Sequence, residues 1–145
     1  MSLISKTAAH IGLTALRDIV SDQIAIDMGS TSTRIWVGGH GIVVDEPSAV
    51  AVKITTGEIL AVGLEAQKML GREARSIRVT APMKNGVVGD FEGTIEMLTQ
   101  LMRKARRGQS HFSRRAVISV LSGMSQVEQR ALLTLPSMRG LGEYG

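Results

Sequence analysis

The sequence contains no cysteine, and aromatic residues make up only 3% of its 145 residues. The absence of cysteine excludes a disulfide framework, a cysteine-based zinc site and a thiol nucleophile. Because aromatic side chains are scarce, the core is predicted to be aliphatic, with the eight methionines as fillers. The three histidines, His10, His40 and His111, show no spacing typical of metal ligands.

Long hydrophobic runs are also missing. No apolar stretch approaches the roughly 18–20 residues that a membrane-spanning helix needs, and the N-terminus has no pattern of a secretory signal. The apolar content of 43% is enough for one domain with a core. The net charge of +4 comes mostly from residues 103–115. Without an aromatic stacking platform, this basic stretch indicates a solvated edge rather than a nucleic-acid site.

The most informative pattern is an apolar strand that runs into an acid, a glycine and four hydroxyl residues. Strands over Ile24–Met28 and Thr33–Val37 are predicted to form a hairpin. Its turn would direct N–H groups and hydroxyls into one concavity, which suits a polyphosphate. Asp27 can hold a hydrated Mg²⁺, which needs only one or two carboxylates. The phosphate-binding candidates are Gly29, Ser30, Thr31, Ser32 and Thr33. The alternative is a plain hairpin whose Gly, Ser and Thr residues simply suit a turn.

The remaining segments predict an α/β plan. Residues 1–21 are predicted to contain an amphipathic leader helix, which either docks on the domain or lies on a membrane. A helix is predicted to begin after Asp90, a good N-cap, and to end at Gly108 with basic residues in its last turn. Between them lie predicted strands Gly41–Asp45, Ala49–Ile54 and Glu58–Val62, a helix over Leu64–Leu70, and a mostly irregular stretch Arg72–Gly89 with an Asn85-Gly86 turn.

The C-terminal part of the sequence predicts one more strand and one more helix. The apolar run Arg115–Leu121 is typical of a strand buried on both faces, beside the first strand. A helix is predicted to begin at Ser125 and to be broken by Pro136, with residues 136–145 irregular. Glu128, three residues after Ser125, fits a capping box. In such a plan a ligand sits at the carboxyl ends of the strands, where the turn after Asp27 lies.

Several segments together resemble the MreB family of bacterial actin-like, rod-shape-determining proteins. The order and approximate spacing of these segments both fit over about residues 22–133. The first segment alone would fit any actin-like ATPase, including sugar kinases and heat-shock chaperones, whereas Met69–Arg72 and Pro82–Val87 narrow the resemblance to MreB-like proteins. The matching segments are Ile26–Thr33, Gly41–Ser48, Ala61–Ala66, Met69–Arg72, Pro82–Glu92 and Ser125–Ala131.

The resemblance implies an actin-like (ribonuclease H-like) ATPase fold that binds ATP and Mg²⁺ in a cleft between two halves. Such proteins form cytoplasmic filaments under the membrane and guide wall synthesis, so the implied partners are other filament subunits, the membrane surface and wall-synthesis membrane proteins. Asp27 matches the family's metal-side acid, and residues 29–32 match its first phosphate loop. Glu128 matches the glutamate that orients the attacking water. This role and a simple helix cap are not exclusive.

The resemblance fades after Ala131, and Leu121-Ser122-Gly123 replaces a segment that normally carries a proline. Residues 22–135 are therefore expected to be the N-terminal part of the ATPase domain, without a second phosphate loop or an adenosine segment. ATP hydrolysis needs donors and metal on both sides of the transferred group, so weak ATP binding and little turnover are expected. Two other functions remain open: a non-catalytic module that binds full-length filaments through an edge strand and the leader, and a small actin-like kinase remnant.

Overall fold

The computed structural model describes residues 23–72, 74–107, 115–119 and 124–133. The predicted leader helix over residues 1–21, Gly108, Pro136 and the tail 136–145 lie outside this part. No helix in the described part is long and apolar enough to cross a membrane. The strands are β1 (Gln23–Met28), β2 (Ser32–Val37), β3 (Gly41–Pro47), β4 (Val50–Lys53), β5 (Ile59–Val62), β6 (Ile77–Thr80), β7 (Met83–Lys84), β8 (Val87–Val88) and β9 (Arg115–Ile118). The helices are α1 (Gly63–Met69), α2 (Phe91–Arg106) and α3 (Gln126–Leu133).

The first sheet has four strands in the order β3-β2-β1-β9. The predicted hairpin is confirmed, because β1 and β2 pair antiparallel with Met28 opposite Thr33. Successive side chains of a strand point to opposite faces, and Ile24, Ile26 and Met28 of β1 face the core. β9 pairs parallel with β1, so the prediction that it lies beside the first strand is also correct.

The prediction that this late strand is buried on both faces is wrong. β9 is an edge strand of the sheet within the described residues, and Val117 is 74% exposed. An unbroken apolar run is typical of a strand covered on both sides. Here, only the core face of the sheet is covered by other described elements, so an apolar side chain on the opposite face remains exposed.

The prediction of a mostly irregular Arg72–Gly89 stretch is wrong as well. β6 adds to the antiparallel three-stranded sheet β5-β4-β6, and β7 and β8 form a small hairpin. The predicted Asn85-Gly86 turn is confirmed, because both residues have positive φ angles, 52° and 75°, as a type I′ hairpin turn requires. Strands of two to four residues are too short to show a hydrophobic period, which explains why the sequence pattern did not reveal them.

Helix α2 packs its apolar face on the sheets. It begins as predicted, since Asp90 Oδ1 accepts a hydrogen bond of 2.9 Å from Gly93 N. The predicted face is correct at Leu98, Met102 and Ala105, which are buried, whereas Phe91 and Ile95 are only partly buried. The core around α2 is aliphatic and rich in methionine, as expected from the composition: Ile24, Ile26, Met28, Ile35, Val37, Val44, Val50, Val62, Met83, Met97, Leu98, Leu101, Met102, Ala105, Met124 and Leu132.

Glu46, at the end of β3, joins three elements through one nearly buried carboxylate. Helix α1 has no side-chain cap of its own at Val62, and Glu46 Oε2 instead accepts a hydrogen bond of 3.0 Å from Leu64 N. Its other oxygen forms an ion pair with Lys104 in the last turn of α2. Gly63 has a φ of 62°, and a Cβ at this position would collide with the Glu46 carboxylate. The contact therefore depends on glycine at position 63.

We expect Lys104→Met to lower the free energy of unfolding by about 1–2 kcal/mol, because it leaves a buried carboxylate short of a partner. Lys68→Met is the matched control. Lys68 pairs with Glu65 at 2.9 Å, but both side chains are exposed, so the expected loss is below about 0.5 kcal/mol. Urea unfolding followed by circular dichroism measures both, and equal losses in the two variants would contradict the role given to Glu46.

Candidate functional site

The turn between β1 and β2 leaves two backbone N–H groups available at its tip. Gly29 N donates a hydrogen bond of 2.9 Å to Ser32 O, which closes the turn around Ser30 and Thr31. Within the described residues, no hydrogen bond has Ser30 N or Thr31 N as its donor. A Cβ at position 29 would lie 2.9 Å from Ser32 O, so the turn requires glycine there. Two neighbouring free N–H groups are the arrangement that backbone anion sites use.

Ser48 stabilises this turn through its hydroxyl and its backbone N–H. Its hydroxyl donates a hydrogen bond of 2.6 Å to Gly29 O, and its N–H donates one of 2.9 Å to Thr31 O. The hydroxyl also lies 2.9 Å from Thr33 Oγ1, and both side chains are buried. Thr33, predicted as a phosphate ligand, therefore supports the turn from inside in this arrangement. Ser48 was not among the predicted site residues, although its position after Glu46-Pro47 is part of the resemblance.

The tip of the turn is also tied to the β7–β8 hairpin. Ser30 Oγ accepts a hydrogen bond of 2.8 Å from Gly86 N, which lies 56 residues further along the chain. Since the hydroxyl accepts in this bond, its own proton remains available to donate to a ligand oxygen. Of the other predicted phosphate residues, Thr31 is exposed and Ser32 is half-buried at the start of β2. No sequence pattern linked the Asn85-Gly86 turn to this site.

Asp27 lies where β1 and β9, which run parallel, reach their carboxyl ends. The structure thus places it at the kind of sheet edge expected for a ligand site. Its Oδ1 accepts a hydrogen bond of 3.3 Å from Ser119 Oγ, and the same hydroxyl accepts one of 2.9 Å from Met28 N. Ser119 was missed by the sequence analysis, because a serine directly after a strand carries no distinctive pattern.

The surroundings of Asp27 fit a cation that keeps most of its water ligands better than one bound entirely by protein side chains. Asp27 lines an open, mostly apolar depression of about 390 Å³ on the sheet face, together with Arg34, Trp36, Val117 and Ser119. In the described residues, no group of three or more His, Cys, Asp or Glu side chains lies close enough to hold a metal ion. Mg²⁺ keeps several water ligands and needs only one or two carboxylates, so a single exposed acid is compatible with it.

Glu128 forms the predicted capping box at the start of α3. Its Oε2 accepts hydrogen bonds from Ser125 N at 2.8 Å and from Ser125 Oγ at 2.9 Å. In return, Glu128 N donates one of 3.3 Å to Ser125 Oγ. These bonds lower the pKa of Glu128 below its ordinary value of 4.5. The bond from the backbone of Ser125 has the largest effect, and the bond from its hydroxyl has the next largest. Within the described contacts, no bond connects Glu128 to the β1–β2 turn.

The capping box predicts a pH dependence of α3. Because the folded-state pKa of Glu128 lies below 4.5, its stabilising contribution is present above pH 4.5 and is lost as the pH falls through the folded-state pKa. We expect Ser125→Ala to move the pKa of Glu128 up towards 4.5, since one of its hydrogen-bond donors is removed. A ¹³C NMR titration of the glutamate side chains measures this, with Ser76→Ala, at an exposed position, as control. An unchanged pKa in Ser125→Ala would contradict the capping box.

Comparisons with known proteins find similar sequences and a similar fold over most of this chain. A family model described as MreB/Mbl protein matches residues 21–142, which extends beyond Ala131, after which the resemblance was expected to fade. The cell shape-determining protein MreB of Pasteurella multocida is 40% identical over 124 residues, covering 81% of this chain and 35% of that protein. The cell shape-determining protein Mbl of Bacillus cereus is 43% identical over 111 residues, covering 76% of this chain and 33% of that protein.

Solved structures are similar over the same part of the chain. The crystal structure of MreB5 of Spiroplasma citri bound to ADP is similar with a TM-score of 0.60 and 27% sequence identity. That similarity covers 76% of this chain and 32% of the MreB5 chain. The chain thus spans about a third of the length of the curated relatives it matches.

Proposed function

The chain belongs to the MreB/Mbl family of bacterial actin-like cell-shape proteins, and we propose that it supplies one wall of an ATP and Mg²⁺ site. The observation that carries this proposal is the pair of N–H groups at Ser30 and Thr31, which donate no hydrogen bond within the described residues. They lie in the turn that follows Asp27, at the carboxyl ends of two parallel strands. A relative of similar fold was crystallised with ADP. A nucleotide is therefore the polyphosphate that this turn is most suited to hold.

The residues of the turn, together with Asp27 and Ser48, have distinct roles in this proposal. The N–H groups of Ser30 and Thr31 donate to phosphate oxygens, and the hydroxyl proton of Ser30 adds a third donor. Asp27 holds Mg²⁺ through its water ligands, against the same phosphates. When bound, the cation neutralises charge on the phosphate oxygens. Ser48 and Gly29 contact no ligand and keep the turn in shape.

Glu128 is proposed to orient the attacking water, as the family resemblance implies. Its Oε2 is engaged by Ser125 in the capping box, so the water would be bound by Oε1. A carboxylate offers about four lone-pair positions, which allows one oxygen to cap the helix while the other accepts from water. Glutamate is ionised at neutral pH, and the lowered pKa of Glu128 does not change this. The side chain can therefore accept a hydrogen bond from water.

We propose that the chain alone binds ATP weakly and hydrolyses it little. The donors described above all approach a phosphate from one side, whereas phosphoryl transfer needs stabilising groups on both sides and control of water. The chain also spans only about a third of its curated relatives. The opposite wall of the site would have to come from protein outside the described residues.

The direct test is ATP binding by calorimetry, with Mg²⁺ and with EDTA. For the chain itself we expect a dissociation constant weaker than micromolar, with Mg²⁺ tightening binding about tenfold, or roughly 1.4 kcal/mol. Asp27→Asn should abolish this difference, because it removes the anionic oxygen that holds the hydrated cation. Glu58→Gln, at an exposed position in the β4–β5 connection, is the control and should behave as the unmodified chain. A Mg²⁺ effect that survives Asp27→Asn would overturn the assignment, and micromolar affinity would contradict the one-sided site.

A second function is favoured by the open edge of β9. We propose that the chain associates with itself or with full-length filament subunits. It would act in the cytoplasm at the inner face of the membrane, where the family resemblance places wall-synthesis membrane proteins as further partners. In the described structure β9 is the edge strand beside β1, and Val117 on it is 74% exposed. An apolar edge strand is a template for pairing with another chain.

Co-sedimentation with a full-length MreB relative tests this second function. We expect the chain to pellet with the filaments, and Val117→Lys to reduce the pelleted fraction severalfold, because a charge on an edge strand opposes pairing. Val127→Lys is the matched control, since Val127 is exposed to a similar degree, 77%, but lies on α3. Equal pelleted fractions of the two variants would contradict the role proposed for the β9 edge.

A further inference from the structure

Three charged residues lie in a row across the exposed face of the four-stranded sheet. Asp27 on β1 is directly opposite Arg34 on β2, and Arg34 is directly opposite Asp45 on β3. All three side chains are exposed. Directly opposite residues of antiparallel strands have Cβ atoms about 4.5–5.5 Å apart, so the long side chain of Arg34 can reach either neighbouring carboxylate.

In the structure Arg34 is engaged by Asp45. Arg34 Nε lies 3.2 Å from Asp45 Oδ1, and about half of each side chain is exposed. Asp27 instead accepts its hydrogen bond from Ser119 on the other side, at 3.3 Å. Within the described residues, the only ion pair formed by this row is therefore the one between Arg34 and Asp45.

We propose that Asp45, by holding Arg34, keeps Asp27 available for a hydrated divalent cation, so that the Arg34–Asp45 pair sets how strongly Mg²⁺ supports phosphate binding. This inference rests on the proposed nucleotide site. A guanidinium that turns towards Asp27 competes with the cation for the same carboxylate oxygens, and its positive charge repels the cation. Arg34 and Asp45 contact no ligand in this scheme, so they are positioning residues.

Because the Arg34–Asp45 pair is exposed, Arg34 can exchange one carboxylate partner for the other. Exposed ion pairs are weak, so the contact with Asp45 leaves Arg34 able to turn to its other carboxylate neighbour. Removing the charge of Asp45 leaves Asp27 as the nearest acid across the sheet. Removing Arg34 leaves Asp27 without a competing cation. The two changes therefore have opposite effects on the cation, which a merely structural role of the pair would not produce.

The experiment compares the ATP affinity of each variant in saturating Mg²⁺ with its affinity in EDTA, and uses the ratio as the readout. We expect Asp45→Asn to lower this ratio and Arg34→Leu to raise it, each by about two- to fivefold, as the strength of exposed ion pairs allows. The double variant should match Arg34→Leu alone, because Asp45 acts only through Arg34. Raising the salt concentration to 0.5 M should shrink both effects, since exposed charges are then screened.

Glu65→Gln is the matched control, because it removes another exposed ion pair, to Lys68 on α1, and should leave the ratio unchanged. Circular dichroism checks that each variant folds, and Arg34→Leu carries the test by itself if Asp45→Asn does not fold. A ratio that falls in Arg34→Leu, or is unchanged in either single variant, overturns this inference while the nucleotide site stands. A ratio of one in the unmodified chain overturns the cation site and this inference together.

Discussion

The site depends on the buried hydroxyl of Ser48. This one group donates to Gly29 O and contacts Thr33 Oγ1, so it joins the end of β3 to both sides of the β1–β2 turn. Gly29 donates its own N–H within the turn, whereas the N–H groups of Ser30 and Thr31 donate no hydrogen bond within the described residues. A buried hydroxyl with two partners is costly to remove, so Ser48 stabilises this shape of the turn.

Contacts from other described segments support the strands around this turn. Two residues before Ser48, at the end of β3, Glu46 binds the first turn of α1 and the last turn of α2. On the other side, Ser119 extends the pairing of β9 with β1 and contacts Asp27. The β7–β8 hairpin contacts Ser30 through Gly86. Ser48 and Gly86 thus contact the turn itself, and Ser119 contacts the end of β1 beside it. The similarity to MreB5 confirms the expected actin-like fold for this part.

Strong local patterns predicted much of this arrangement. The alternation in β1 and β2, the N-cap at Asp90 and the capping box at Ser125 each arise from interactions within a few residues, so the sequence alone indicates them. The exposed face of β9 and the strand β6 were predicted wrongly, because they depend on which elements cover or pair with them. Ser48, Gly86 and Ser119 could not be predicted as site residues, because each reaches the turn only after distant segments have folded together. The Arg34–Asp45 pair likewise depends on the register between strands.

The central claim is that the tip of the turn presents two free N–H groups to a polyphosphate. The most direct measurement is a ¹⁵N-resolved NMR titration of the full chain with ATP and, separately, with inorganic pyrophosphate. The account predicts that the amide signals of Ser30 and Thr31 move most in both titrations, while that of Gly29, already bonded to Ser32 O, moves least within the turn. Changes confined to other parts of the chain, or no change at the tip with either ligand, would contradict it.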